Sequence, residues 1–196
     1  SMDHYHWENS ASIESWYGKL TGHFGESSAV SAFYLKNVQG LDGNSIDPDI
    51  KGAHVHAWGA GATIDLGDSG LNIDGDFIQT RGNRDLGHAN LWTAGLNYGK
   101  VDLNKPGSFT LGVHYVRADA GAYLLGNSAL DMTDQLEYGW DNGTGVKFWV
   151  AKAGVAVQKN VELDAYYNFG AKAFDRYDDS TKDPANTWGV ELNYAF

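Results

Sequence analysis

The chain has 196 residues, a net charge of −11 at neutral pH, 25 glycines and no cysteine. This length suits a single domain, the absence of cysteine excludes disulfides and thiolate chemistry, and the acidic balance argues against nucleic-acid binding. No apolar run approaches the roughly 20 residues that a transmembrane helix needs. The mean hydropathy of −0.40 is that of a soluble protein. Alternation of apolar and polar residues hides a membrane signal from such an average, however.

Alternation of apolar with polar or small residues predicts about nine strands, and a weaker one at residues 3–10. Successive side chains of a strand point to opposite faces of the sheet, so each segment has one apolar face. The apolar faces are predicted to comprise alternate residues of 16–24, 58–66, 71–77, 92–98, 109–115, 149–157, 161–169 and 188–196. In the strand at 29–39, Phe33 and Leu35 are predicted outward, and Tyr34 and Lys36 inward.

The connections between these strands are predicted to alternate in length. Short ones follow Phe24, Leu66, Gly99 and Val157, and long ones follow Gln39, Phe77, Val116 and Phe169. One long polar loop is predicted at 81–90, and the longest connection at 118–145, where 124–137 is expected to form a turn or two of helix. A soluble β-sandwich gives no reason for so regular an alternation.

The last strand carries the pattern most clearly. Its apolar side consists of Trp188, Val190, Leu192, Tyr194 and Phe196. An apolar side bounded by aromatic rings suits the lipid-facing wall of a membrane barrel. This ending resembles the C-terminal strand of bacterial outer-membrane β-barrels, which typically closes on Phe with an aromatic residue two positions earlier, here Phe196 and Tyr194.

The resemblance covers essentially the whole chain, because the succession of strands and turns follows the pattern of porins. More narrowly, the chain resembles the C-terminal barrel portion of porins from diderm Firmicutes that carry an S-layer homology domain. The resemblance implies an all-β fold: an antiparallel up-and-down transmembrane β-barrel of about 10 strands (8–10), with short periplasmic turns and long extracellular loops. Residues 1–196 would form one domain, which is either a whole barrel or the C-terminal part of a larger one. No signal peptide is present, so Ser1-Met2 is expected to be an artificial start.

The same resemblance implies a location and partners. The chain is expected in the bacterial outer membrane, with its C-terminus periplasmic and its outward face in contact with outer-membrane lipids. Tyr194 and Phe196 would form the signal that the barrel-insertion machinery reads. Assembly as a homo-oligomer is an open alternative.

The composition of the two faces favours the membrane interpretation over a soluble barrel. The polar faces are rich in small residues: Gly59, Gly61, Gly95, Gly99, Gly112 and Gly154. Small residues suit a crowded lumen, whereas the exposed strands of soluble proteins favour Lys, Glu and Thr. Aromatic residues near both ends of the strands match the two interfacial girdles of membrane barrels.

The inward face is the predicted functional surface. The predicted pore-lining residues are Lys19, Lys36, Asp65, Asp74, Asp76, His114, Lys152, Glu162, Asp164 and Glu191. Because acidic residues outnumber basic ones, an open lumen would favour cations mildly. The predicted function is therefore passive diffusion of ions and small hydrophilic solutes. One alternative is a small plugged barrel that acts as a structural anchor or adhesive surface. Another is a soluble ligand-binding barrel.

No motif predicts catalysis. Two His-x-His pairs, at 4–6 and 54–56, each place two imidazoles on one face, but no third ligand is evident, so no metal site is predicted. His23 and His114 are the plausible mid-strand bases, and no nucleophile is placed beside them. We therefore expect no enzyme activity and no cofactor.

Overall fold

Nine strands and one short helix make up the described part of the fold. The computed structural model describes residues 15–25, 27–37, 55–82, 88–122, 133–175 and 180–195. The strands are β1 (Ser15–Phe24), β2 (Ser28–Asn37), β3 (Val55–Asp65), β4 (Leu71–Gly82), β5 (His88–Gly99), β6 (Phe109–Ala118), β7 (Gly145–Gln158), β8 (Val161–Phe174) and β9 (Thr187–Tyr194). Helix α1 (Thr133–Asp141) lies between β6 and β7, and a 3₁₀ turn (Gly67–Ser69) connects β3 to β4. The weaker strand predicted at 3–10 with the pair His4 and His6, the first histidine of the other pair, His54, and Phe196 lie outside these ranges, whereas His56 belongs to β3.

The strands form one antiparallel sheet in which each pairs with its neighbours in the chain, in the order β1 to β9. The prediction of an all-β up-and-down sheet is therefore confirmed. The prediction of a closed barrel is not confirmed, because within the described residues β1 pairs only with β2, and β9 only with β8. The odd number of strands gives a physical reason why β1 and β9 are not paired with each other. In a meander of nine, the two edge strands point in the same direction, so they cannot form an antiparallel pair with each other.

Cross-strand register assigns every strand residue to one of two faces, since directly opposed residues share a face. Leu96 of β5 lies opposite Val113 of β6, which lies opposite Ala151 of β7. We name the face that holds these residues face A. Asp74 and His114 define face B, as both lie opposite Gly95.

The second strand has the opposite orientation to the one predicted. Tyr34 lies opposite Trp58 and is exposed on face A, and Lys36 lies on the same face opposite Trp16. Phe33 lies on face B. Both parities of β2 carry large apolar residues, so alternation alone did not distinguish its faces. Pairing with β3, whose faces differ clearly, determines the orientation.

The connections divide the sheet into two ends. The turn end holds the connections 25–27, 66–70, 100–108 and 159–160, and the loop end holds 38–54, 83–87, 119–144 and 175–186. The predicted alternation in length has one exception, because 83–87 is shorter than 100–108. The predicted loop 81–90 was too long: Gln79 Nε2 donates to Asn90 Oδ1 at 2.9 Å, and the polar residues around them continue the β4–β5 ladder.

Strands β7 and β8 are longer than predicted and contain irregularities. Opposite Lys147 and Trp149, β8 has one extra residue, since Lys147 pairs with Lys172 and Trp149 with Phe169. Gly170 lies within this bulge at φ +63°, a left-handed conformation that glycine adopts without a steric penalty. The bulge shifts the alternation, so that Phe169 and Lys172 both lie on face A.

The buried core lies on face B at the loop end, where α1 packs against the sheet. It includes Val116, Val146, Phe148 and Val150 from the strands and Leu136 from the helix. Burial of each such side chain contributes about 1.5–3 kcal/mol. Face B is thus covered at the loop end, while face A is covered by no described element.

Candidate functional site

Face B carries the acidic residues of the described strands, mainly in the half nearer the turn end. Nine of the ten predicted pore-lining residues lie on this face: Lys19, Asp65, Asp74, Asp76, His114, Lys152, Glu162, Asp164 and Glu191. Lys36 is the exception, because β2 has the orientation described above. The register brings most of the nine into two groups, one on β4–β6 and one on β7–β9.

The first group is centred on an Asp–His pair. Nδ1 of His114 lies 3.4 Å from Oδ2 of Asp74, and the two side chains are 13% and 23% exposed. Strand β5 separates the two residues, and Gly95 lies between them. A Cβ at Gly95 would overlap the His114 ring and approach the Asp74 carboxylate. The pair therefore depends on a residue without a side chain at this position.

Asn97 completes the first group. Its Oδ1 lies 2.9 Å from Nε2 of His114, and its Nδ2 donates to Oδ1 of Asn72 at 2.9 Å and to the carboxylate of Asp74. Both ring nitrogens of His114 thus face oxygen atoms, so the ring is held in one orientation. Gly95 and Asn97 were not predicted as site residues. Parity assigns both to the inward face, but only the register shows that they contact His114.

Replacement of Gly95 by alanine is expected to destabilise the protein by about 1–3 kcal/mol, as overpacking does in a filled interior. The new methyl group would push His114 away from Asp74 and Asn97. The measurement is the free energy of unfolding from urea titration. Gly18→Ala is the matched control, because nothing lies within 4 Å of a Cβ at that position in β1. Equal effects of the two substitutions would contradict the proposed role of Gly95.

The second group is acidic. Asp164 lies opposite Glu191 on one side and Gly154 on the other, and Asn193 Nδ2 donates to Asp164 Oδ2 at 2.8 Å. The carboxylates of Asp164 and Glu162 both lie above Gly154. A cavity of about 220 Å³ adjoins the group, and its lining includes Lys152 and Tyr166. Such a cavity has room for water and a small ion. In the described ranges, no three His, Asp or Glu side chains are grouped as metal ligands.

Helix α1 covers the other half of face B. Leu136 is 1% exposed and belongs to the same apolar cluster as Val116 and Phe148. From the sequence, the longest connection could equally fold inward as a constriction or lie at the surface. Within that connection, α1 packs on face B. The helix spans Thr133–Asp141 and so begins later than the predicted segment 124–137.

A buried polar contact fixes the helix to the last two strands. Gln135 is 1% exposed, and its Oε1 accepts a hydrogen bond from Asn168 Nδ2 at 2.8 Å. Its Nε2 donates to Thr187 Oγ1 at 3.0 Å and to the Ala185 carbonyl at 3.1 Å. Tyr138 adds a hydrogen bond from its hydroxyl to the Lys182 carbonyl at 2.5 Å. This contact was not predicted, since no local pattern distinguishes Gln135 from an exposed helical glutamine.

Face A is apolar across all nine strands and exposed. Every strand has at least one large face A side chain that is 37–80% exposed, from Leu20 on β1, through Leu96 and Val113, to Val190 on β9. A soluble monomer rarely exposes an apolar patch larger than a few hundred Å². Face A therefore needs an apolar environment or a partner.

Aromatic residues form rows on face A. Towards the loop end, the ring of Tyr115 lies 5.2 Å from that of Trp92 and 5.0 Å from that of Trp149, between ring centres. At the turn end, Tyr98 and Phe109 are paired at 6.1 Å. Aromatic side chains with one polar edge are favoured where an apolar layer meets water.

No helix in the described ranges is long and apolar enough to cross a bilayer. Comparison with known protein families finds no family model that matches this sequence, and comparison with curated proteins finds no relative. The function must therefore be argued from the two faces of the sheet.

Proposed function

We propose that the chain forms the wall of a bacterial outer-membrane β-barrel of the porin type, through which ions and small hydrophilic solutes diffuse passively. The observation that carries this proposal is the difference between the faces. Face A is apolar and exposed on every strand, whereas face B holds every acidic residue of the described strands. Face A would contact outer-membrane lipids, and face B would line the aqueous interior.

Strand length supports a membrane location. The nine strands have 8 to 14 residues. A tilted strand needs about 9–11 residues to cross the hydrocarbon layer. The aromatic rows of face A lie near both ends of these strands, as the girdles of membrane barrels do. In the proposed orientation, the turn end and the C-terminus are periplasmic.

Closure is part of the proposal, because unpaired backbone groups are costly in lipid. One more strand between β1 and β9 would pair antiparallel with both and complete a ring of ten. A larger barrel, of which this chain is the C-terminal part, would satisfy the same edges. The second arrangement fits the resemblance to porins with an S-layer homology domain. In either case β9, which ends at Tyr194, would be the strand that the insertion machinery reads.

A second function is favoured by α1. A barrel of about eight strands has an interior that side chains nearly fill, and α1 occupies face B in addition. A barrel that is closed and plugged in this way would anchor or present its loops without conducting ions. This alternative differs from the first only in whether the interior is open.

Recording of single channels in planar bilayers tests the proposal. The full chain is folded into vesicles, and a shift in gel mobility between unheated and boiled samples identifies the inserted form. Stepwise conductance from the inserted protein would support diffusion. An inserted protein that does not conduct would favour the plugged barrel, and a protein that stays in the aqueous phase would contradict both.

Neutralising Glu162 and Asp164 is expected to reduce the preference of the channel for cations, because charged groups on the lining set ion selectivity. The double variant Glu162→Gln/Asp164→Asn keeps the shape of both side chains. The measurement is the reversal potential under a gradient of potassium chloride. Asp102→Asn is the matched control, since Asp102 lies in the connection 100–108 outside the sheet. A reversal potential that stays at the wild-type value in the double variant would exclude these residues from the conducting path.

A further inference from the structure

The lysines and arginines of face A lie at one end of the sheet, and no acidic strand residue shares that face. Among the described strand residues, the lysines and arginines of face A are Lys36, Arg81, Arg117, Lys147 and Lys172, and all of them lie at the loop end. Every aspartate and glutamate of these strands lies on face B. The chain has a net charge of −11, so composition alone would not leave one face with lysines and arginines and without acidic residues.

Three of these cations stand side by side. Arg117 lies directly opposite Lys147, and Lys147 lies directly opposite Lys172. Like charges in directly opposed positions destabilise a sheet. Arg117 is partly balanced, because its guanidinium lies 4.2 Å from the centre of the Phe174 ring and 3.9 Å from a carboxylate oxygen of Asp119. Within the described ranges, neither lysine makes an ion pair.

The depth of this row is defined by its neighbours. One step towards the middle of the sheet, on the same face, lies the row Tyr115, Trp149 and Phe169. In the proposed membrane orientation this aromatic row marks the boundary between hydrocarbon and headgroups. The cations would therefore lie at the depth of the headgroup phosphates.

We propose that Arg117, Lys147 and Lys172 bind the phosphate of an anionic lipid in the leaflet that surrounds the loop end. This inference rests on the proposed membrane location. An anion between the three side chains would remove their mutual repulsion, and guanidinium and ammonium groups are the usual ligands of phosphate. The rings of the adjoining row, of which Trp149 is exposed and the other two are half-buried, favour a ligand that also has an apolar part, which a lipid has and free phosphate lacks.

The test compares folding of the full chain in two kinds of vesicle, phosphatidylcholine alone and an equal mixture with phosphatidylglycerol. Urea titration gives the folding equilibrium constant in each, and their ratio measures the preference for anionic lipid. The wild type is expected to prefer the mixture despite its negative charge. Lys147→Gln/Lys172→Gln should lower the ratio by about fivefold per lysine, or about 25-fold in all. Lys105→Gln/Lys159→Gln removes two lysines at the turn end and should leave the ratio unchanged.

Each other outcome overturns a definite part of the proposal. If Lys147→Gln/Lys172→Gln keeps the wild-type ratio, or if both double variants lower it equally, the assigned row is wrong. If inorganic phosphate added to phosphatidylcholine vesicles stabilises the wild type as much as phosphatidylglycerol does, the site takes free phosphate and not a lipid. Folding into phosphatidylcholine without a gain from phosphatidylglycerol contradicts this inference alone. Failure to insert into either vesicle contradicts the proposed function with it.

Discussion

Leu96→Arg is expected to weaken folding into lipid vesicles by about 2–4 kcal/mol, the cost of a cation on the lipid face near the middle of a bilayer. Leu96 lies on face A of β5, between Trp92 and Tyr98, and it is 45% exposed. In water a residue so exposed would accept arginine with little effect, usually within about 0.5 kcal/mol. The substitution therefore separates a membrane wall from a soluble sheet by the size of its effect.

Thr93→Arg is the control for this experiment. Thr93 lies on face B of the same strand, directly opposite Asp76, so an arginine there would have water and a carboxylate nearby. Its folding constant in vesicles should fall less than that of Leu96→Arg, because the arginine can pair with Asp76, although it removes the Thr93 hydroxyl and crowds Val116 on the other side. A harmless Leu96→Arg together with a strongly destabilising Thr93→Arg would reverse the assignment of the two faces. Little effect from either would indicate that the sheet is not embedded in lipid.

Release of α1 is the second change with a large expected effect. Gln135→Ala/Leu136→Asp removes the hydrogen bonds to Asn168 and Thr187 and places a charge in the apolar cluster. Loss of a buried leucine alone costs about 2–5 kcal/mol, and a helix as short as α1 is not stable without its packing. We expect the helix to leave face B while the strands remain paired, so that single-channel conductance rises several-fold.

Glu137→Gln on the same helix provides the comparison, because Glu137 is exposed and should affect neither docking nor conductance. The folded fraction of each variant is measured by the heat-dependent shift in gel mobility, so that loss of the barrel is not mistaken for loss of the helix. An unchanged conductance in a well-folded double variant would show that α1 does not obstruct the interior. Conductance that appears only in the double variant would identify the wild type as a plugged barrel.

The orientation of most strands was predictable, because one parity of each is strongly apolar. Leu96, Val113 and Trp149 all lie on the predicted face, and their partners share it. Tyr34 and Lys36 were assigned to the wrong face since β2 is apolar on both parities. Such a strand takes its orientation from its neighbour β3, and that information is not local.

The covered half of face B was not predictable for a related reason. Val146 and Phe148 were assigned to no element, because the predicted connection 118–145 ends before them and the strand was expected to begin near Trp149. Their burial depends on α1, which contacts them from a different part of the chain. The Asp74–His114 pair was likewise hidden, since it requires the register across β5 and not any motif.

Strand order also has a consequence for the path of folding. Every pairing joins neighbours in the chain, so the sheet can grow one hairpin at a time, and the cost of each addition depends on the connection to be closed. The entropy of loop closure makes β6–β7, joined by 119–144, about 2 kcal/mol harder to form than β7–β8, joined by 159–160. Docking of α1 on β7 shortens the free part of that connection. The helix therefore favours the slowest step of assembly, and variants that release it should fold more slowly as well as less stably.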